Sequence, residues 1–293
     1  MRALARHTSL KALILGVEKH LRLHTLLAED IIPYGVHRFD HQTWVIKKTT
    51  FGVRIWCSLD DRAISRPILL DSYELPETRF IVRTLRKGDL AVDAGANIGY
   101  YALHFAELVG EGGCVEAFEP IPYLADALYA SVVENGFASR INVHRAALDE
   151  HTGTACIRHA PRTANFGGAH LSPLLTSPKT FQVDETVITV RLDDVIGSRP
   201  CTLLKIDVEG AEPRVIRGAR ATLAASRPVI LAELHDDQLR IVSDSTADDF
   251  IAQMSALGYR CSRLTPDGTR GHVLYRYAER TPVNVVFDPP GVE

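Results

Sequence analysis

The sequence predicts an α/β protein: a mostly parallel sheet of seven strands, helices on both faces, and an antiparallel hairpin at its end. Three observations predict it. From Leu90 onward, short apolar and β-branched runs alternate with stretches of helical period, the pattern of a parallel sheet covered on both sides. The first run, Leu90–Asp93, is followed by Gly95, Ala96, Asn97 and Gly99 as a helical pattern starts at Ile98. Such a strand–turn–helix lets a ligand meet bare backbone and unpaired helix N–H groups. The second run, Cys114–Phe118, ends in Glu119, and an acid at the tip of strand two is where nucleoside-binding α/β folds hold a ribose diol.

In chain order, Leu10, Leu13, Ile14, Val17 and Leu21 recur at helical spacing and predict an amphipathic helix within 9–27. Its apolar run, Ala12–Val17, is too short for a signal peptide, and no small-residue cleavage site follows. Thr43–Ile46 and Gly52–Leu59 read as a hairpin turning at Lys47–Phe51. Glu77–Leu85 reads as a helix that stops at Lys87 and Gly88. The repeating part then places strands at Leu90–Asp93, Cys114–Phe118, Ile141–Ala146, Leu203–Asp207 and Val229–Leu234. Its helices fall at Ile98–Val109, Tyr123–Asn135 and Glu212–Ala224, the last with Pro213 in its first turn. Residues 152–190, rich in glycine and proline, are too long for a plain connection and predict an insertion or lid. A helix at Ala247–Leu257 precedes a hairpin of Tyr259–Leu264 and His272–Tyr277 around Pro266, Asp267 and Gly268. The expected division is an extension at 1–80 and one large domain at 81–293.

Composition excludes several function classes. The 293-residue chain carries a net charge of −3 with no long basic run, so nothing points to a nucleic-acid partner. No stretch reaches the roughly 20 apolar residues of a membrane span. Five cysteines form no C-x-x-C pair, as expected of buried thiols in a cytoplasmic protein. The apolar stripe of the N-terminal helix is compatible with a homodimer.

The glycine turn is not the dinucleotide fingerprint. That pattern needs G-x-G-x-x-G, and Asn97 stands where its second glycine belongs. Asp93 would repel a pyrophosphate and suits instead the ammonium of S-adenosyl-L-methionine (SAM). Gly95, Ala96, Asn97, Gly99 and Tyr100 are therefore expected around the methionine end. Glu119 is expected to accept from both ribose hydroxyls, Pro120 and Ile121 to flank the adenosine, and Ala147 to lie near the adenine.

Three stretches carry a family resemblance: VDAGANIGYYAL (92–103), EAFEPIP (116–122), and the long segment from Thr189 to His235 with KIDVEGAE at its centre. SYELPET (72–78) adds to them. The chain resembles the FkbM family of SAM-dependent O-methyltransferases over about residues 70–235. The resemblance implies a class I methyltransferase fold, Rossmann-like, and methyl transfer to a hydroxyl of a small acceptor such as a sugar or secondary metabolite. The rival readings are a nucleotide-cofactor oxidoreductase and a non-catalytic partner protein of the same fold.

A second cluster is expected at the tips of two neighbouring strands, Asp207 with Glu209 and Glu233 with His235. Crowded carboxylates need protons or a cation. Either Asp207 and Glu233 hold Mg²⁺ to orient the acceptor, as in catechol O-methyltransferase, which this arrangement resembles, or Glu209 or His235 takes the acceptor's proton directly. Lys205, alternating with Asp207, could pair with an acid in the same crevice. His144, on strand three, is a further candidate. Asn165, Phe166 and His170 are candidates for shaping the acceptor pocket, and Tyr73 and Glu74 for folding over the methionine tail.

Overall fold

A computed structural model describes residues 31–32, 39, 43–159, 170–171, 183–279 and 281–291. The helix expected within 9–27, like Asn165 and Phe166, lies outside the described residues.

Ahead of the main sheet, β1 (Ile31–Ile32), β2 (Trp44–Lys48) and β3 (Arg54–Ser58) form an antiparallel three-stranded sheet. It contains the expected hairpin, and the Trp56 amide pins it to the main body by donating to Ser131 Oγ at 3.0 Å. Asp61 then gathers the amides of Ile64 and Ser65 at 3.2 and 2.5 Å and starts the short helix α1 (Ser65–Leu69). The following helix, α2 (Leu75–Thr84), is tied to the far end of the chain. Arg79 and Arg83 donate to the carbonyls of Pro266 and Asp267, both at 2.7 Å.

The repeating part follows the expected alternation: β4 (Leu90–Ala94), α3 (Tyr100–Val109), β5 (Cys114–Phe118), α4 (Pro122–Glu134) and β6 (Ile141–His144). The chain then leaves the main sheet. The insertion is a sheet of its own, in which β7 (Ala147–Leu148), β8 (Gly153–His159), β9 (His170–Leu171) and β10 (Val183–Val190) run in the order β7-β10-β8-β9. His170 thus falls in its edge strand. The chain returns through α5 (Leu192–Ile196), β11 (Leu203–Ile206), α6 (Glu212–Gly218), α7 (Arg220–Ser226) and β12 (Val229–Leu234). It ends with α8 (Asp236–Ser243), α9 (Ala247–Ala256), β13 (Arg260–Leu264), β14 (Arg270–Val273) and β15 (Val283–Asp288).

Among the described residues the main sheet has eight strands in the order β14-β13-β15-β12-β11-β4-β5-β6, one more than expected. The strand not foreseen is β15. It enters antiparallel between β12 and β13, so the expected terminal hairpin becomes the far edge of the sheet. The helix expected over Glu212–Ala224 is two helices, broken at Ala219. Along the parallel strands side chains sort by alternation. Ala91, Val115, Ala117 and Leu203 pack toward α3 and α4, and Val92, Phe118, Leu204 and Ile230 pack toward α6–α9. Both faces being covered, the strands read as near-continuous apolar runs.

The chain moves outward from β4 through β5 to β6, then crosses back to β11 on the other side of β4. That reversal opens a crevice beyond the carboxyl ends of β4 and β11, the place where α/β sheets bind ligands.

Candidate active site

The turn after β4 is clamped from both sides. The amides of Gly95 and Ala96 donate to the Phe118 carbonyl at 3.1 and 2.9 Å, and the Asp207 amide donates to the Ala94 carbonyl at 3.0 Å. This closeness explains the glycines. At Gly95, φ is +82° and a Cβ would lie 1.9 Å from the Asp207 carbonyl oxygen. At Gly99, φ is +96° and a Cβ would lie 2.3 Å from Leu128 Cδ1. Both glycines thus serve the protein's packing on itself. Gly95 also borders the cleft, whereas Gly99, expected beside the ligand, is not on its wall.

The cleft opens over the carboxyl ends of β4, β5 and β11. Ala96, Asn97, Tyr100, Pro120 and Ala147, all candidates to meet the ligand, line it. Phe118, Ile121, Leu124 and Leu148 make one end apolar, and Ile157 from the insertion sheet joins them. Ile157 was not foreseen, since nothing local in a long connection says which of its residues turns inward.

Glu119 stands between that apolar end and the glycine turn, 4% exposed. Its Oε2 accepts from the Asn97 amide at 2.9 Å and its Oε1 from the Ile121 amide at 2.8 Å. Burial pushes its carboxyl up to about 7 against those two hydrogen bonds. Each oxygen keeps a lone pair for a further donor, so the residue fits a ribose diol.

At the other end a cation sits among acids. Lys205 and Asp93 are partners across β11 and β4. The Lys205 ammonium lies 3.2 Å from Asp207 Oδ2 and 3.8 Å from Asp93 Oδ1, and 4.5 Å from the centre of the Tyr101 ring. Tyr101 in turn donates from its hydroxyl to Glu74 Oε2. Burial works against the lysine's charge, but Asp207, Asp93 and Glu74 override it and hold the ammonium above its usual range. Asp93, expected to face the ligand, is fully buried and stands behind the wall. Burial pushes it up to about 6, with Lys205 opposing.

Of the second cluster, Asp207 and Glu209 line the cleft, whereas Glu233 and His235 do not. Glu209 has a left-handed backbone, φ +54°, and its Oε2 accepts from the Gln238 amide group. Burial pushes it up to about 9, with Asp207 and Glu233 adding repulsion. The acid that satisfies the loop amides is its neighbour Glu212, whose Oε1 accepts from Val208 and Gly210 at 3.2 and 3.3 Å. Glu233 is half-buried and pushed up to about 8 by burial, with the charges of Asp207 and Glu74 adding to it. His235 is the N-cap of α8 and half-buried. His144 lies away from the cleft wall: its Nε2 is 2.6 Å from Glu116 Oε2, and its ring stacks on Phe118. Edge strand β6 thus turns it into an ion-pair cluster with Glu116 and Arg199.

For a divalent ion the arrangement is a poor fit. Among the described residues no three His, Cys, Asp or Glu side chains are grouped to hold one. One Asp207 oxygen is already engaged by an ammonium, and Glu233 does not line the cleft beside it.

These raised carboxyl values set a sign for stability. A carboxyl raised in the fold contributes stability below its unfolded value that is lost as pH rises through its folded value. Buried neutral His104, held down to about 4, acts in the opposite sense below its ordinary value of roughly 6.5. Between pH 6.5 and 9 the carboxyls act alone in this cluster, through Glu119, Glu233 and Glu209. The melting temperature of the ligand-free protein is expected to fall across that interval in a thermal denaturation series. A flat or rising profile would show that the acids are not crowded as described.

A model of the methyltransferase FkbM domain matches residues 93–261. The chain is 35% identical over 178 residues to a 31-O-demethyl-FK506 methyltransferase, FkbM, of Streptomyces tacrolimicus, covering 52% of this chain and 67% of that protein. It is 28% identical over 165 residues to the methyltransferase sdnD of Sordaria araneosa, covering 47% of this chain and 62% of that one. Among solved structures, an FkbM methyltransferase from Methylobacillus flagellatus superposes with a TM-score of 0.43 at 20% identity, over 70% of this chain and 44% of that chain. Among the described residues no helix is long and apolar enough to cross a membrane. The matched segment begins at Asp93 and takes in the glycine turn, Glu119 and the Lys205–Glu212 loop, and the chain belongs to the FkbM methyltransferase family.

Proposed function

We propose that the protein transfers a methyl group from SAM to a hydroxyl of a small acceptor, a saccharide or natural-product glycone. The observation that carries this reading is the polarity of the cleft. It runs from an apolar end, past a buried carboxylate held by two amides, to a lysine among acids. Adenine, ribose and a charged amino-acid tail occur in that order in SAM. The Streptomyces relative, named for a 31-O-demethyl substrate, supports oxygen as the accepting atom.

When bound, SAM supplies an electrophilic methyl on a sulfonium. The chain's own part is to position the acceptor oxygen in line and to receive its proton. Glu209 is the group assigned to take that proton. It lines the cleft beside Asp207, and Gln238 fixes its orientation. No step here needs a divalent ion.

Thermal denaturation with SAM or S-adenosylhomocysteine is expected to show stabilisation, and with NADH none. The reverse result would restore the oxidoreductase reading. With an acceptor found by screening sugars and glycosides against methyl-labelled SAM, Glu209→Gln is expected to lower kcat by about 10²–10⁴-fold. The SAM-induced thermal shift should survive that change. Full turnover in the variant would move the base elsewhere, and SAM binding without any turnover would favour a non-catalytic partner.

A further inference from the structure

We propose that Lys205 is the fixed cation of this cleft, holding the carboxylate of the donor's amino-acid end and standing where a divalent ion would otherwise neutralise Asp207. The inference rests on SAM being the donor and adds what reads its tail. Among the described residues that line the cleft, Lys205 is the one with a cationic side chain. Behind it stands Asp93, which is fully buried and pairs with the lysine at 3.8 Å. From the front it holds Asp207 at 3.2 Å, and Tyr101 supports it at 4.5 Å with Glu74 fixing that ring's hydroxyl.

An α-amino acid presents a carboxylate and an ammonium a short distance apart. A lysine and an aspartate side by side on the cleft wall, Lys205 and Asp207, complement that pair, each charge meeting its opposite. The same lysine explains the poor fit of a metal. A divalent ion on Asp207 would sit against the ammonium that already engages it at 3.2 Å.

The test separates the amino-acid end from the rest of the ligand. By titration calorimetry, Lys205→Met is expected to weaken S-adenosylhomocysteine about 10- to 100-fold, the range for a hydrogen bond to a charged group. It should leave 5′-methylthioadenosine, which lacks the amino-acid end, unchanged within about 2-fold, and Lys205→Arg should recover most of the loss. Equal weakening of both ligands would reduce the lysine to a structural part, and unchanged binding of S-adenosylhomocysteine would overturn the proposal.

A measurement on the unaltered protein stands even if Lys205→Met fails to fold. S-adenosyl-3-thiopropylamine, which keeps the amine and lacks the carboxylate, is expected to bind at least about 10-fold more weakly than S-adenosylhomocysteine. Equal affinities would overturn the proposal. So would a Mn²⁺-induced thermal shift in metal-stripped protein that Asp207→Asn removes. Failure of the unaltered protein to bind either SAM or S-adenosylhomocysteine would instead sink the donor assignment, a distinct outcome.

Discussion

Gly95→Ala is expected to lower the melting temperature by about 5–15 °C and to abolish the SAM-induced shift, a loss of about 2–5 kcal/mol from backbone strain and overpacking together. The strain comes from φ +82°, where an L side chain meets its own backbone. The overpacking comes from the Asp207 carbonyl, whose oxygen would lie 1.9 Å from the new methyl. That carbonyl cannot simply retreat, because the amide of the same residue is bonded to the Ala94 carbonyl at 3.0 Å. Relief requires β4 and β11 to part at the tips that place Lys205 and Asp207 on the cleft wall. Gly136→Ala is the control. Its φ is +68°, but nothing lies within 4 Å of the added Cβ, so it reports strain alone, about 1–2 kcal/mol. If the two variants melt together and Gly95→Ala still responds to SAM, the strand tips are not as close as described.

That experiment bears on how far the site was legible in the sequence. The LAVDAGANIGYY stretch announced a strand, a tight glycine turn and a helix, and each is present. What it could not announce was why the glycines are there. Their need is set by Asp207 and Leu128, residues that neighbour them only once the sheet and its helices have assembled. The same limit governs the charged groups. Spacing brought Asp207 and Glu209 to one strand tip, but whether Glu209 or Glu212 serves the loop amides depends on a left-handed residue, which composition does not specify. Asp93 and Lys205 become neighbours through the register of a parallel pair, a relation invisible to local periodicity. His144 failed for a related reason: strand alternation gives a face, and the face it took carries Glu116. The strand β15 was lost because its partners, β12 and β13, lie elsewhere in the chain.

Glu119→Ala is the second change of large effect, and it is expected to weaken S-adenosylhomocysteine by about 100-fold or more. Two losses combine. The ribose loses its acceptor, and the amides of Asn97 and Ile121, now at 2.9 and 2.8 Å from carboxylate oxygens, are left without partners in a site only 4% exposed. An unsatisfied buried donor costs about 1–3 kcal/mol, so the ligand-free variant should also melt earlier. Glu119→Gln separates the two. It keeps one carbonyl oxygen for an amide but turns an NH₂ group toward the other, and it cannot ionise. The separation extends to pH. A diol donates its hydrogen bonds, so it prefers the ionised carboxylate, and burial has pushed that carboxyl up to about 7. Lowering the pH from 8 to 6 protonates Glu119 and should weaken binding of S-adenosylhomocysteine in the unaltered protein. In Glu119→Gln the affinity is lower throughout, and the part of the pH dependence belonging to this residue is gone. Calorimetric titrations at the two pH values decide the matter. If both proteins respond equally to pH, the ribose is not held by Glu119, and the apolar end of the cleft must position the nucleoside unaided.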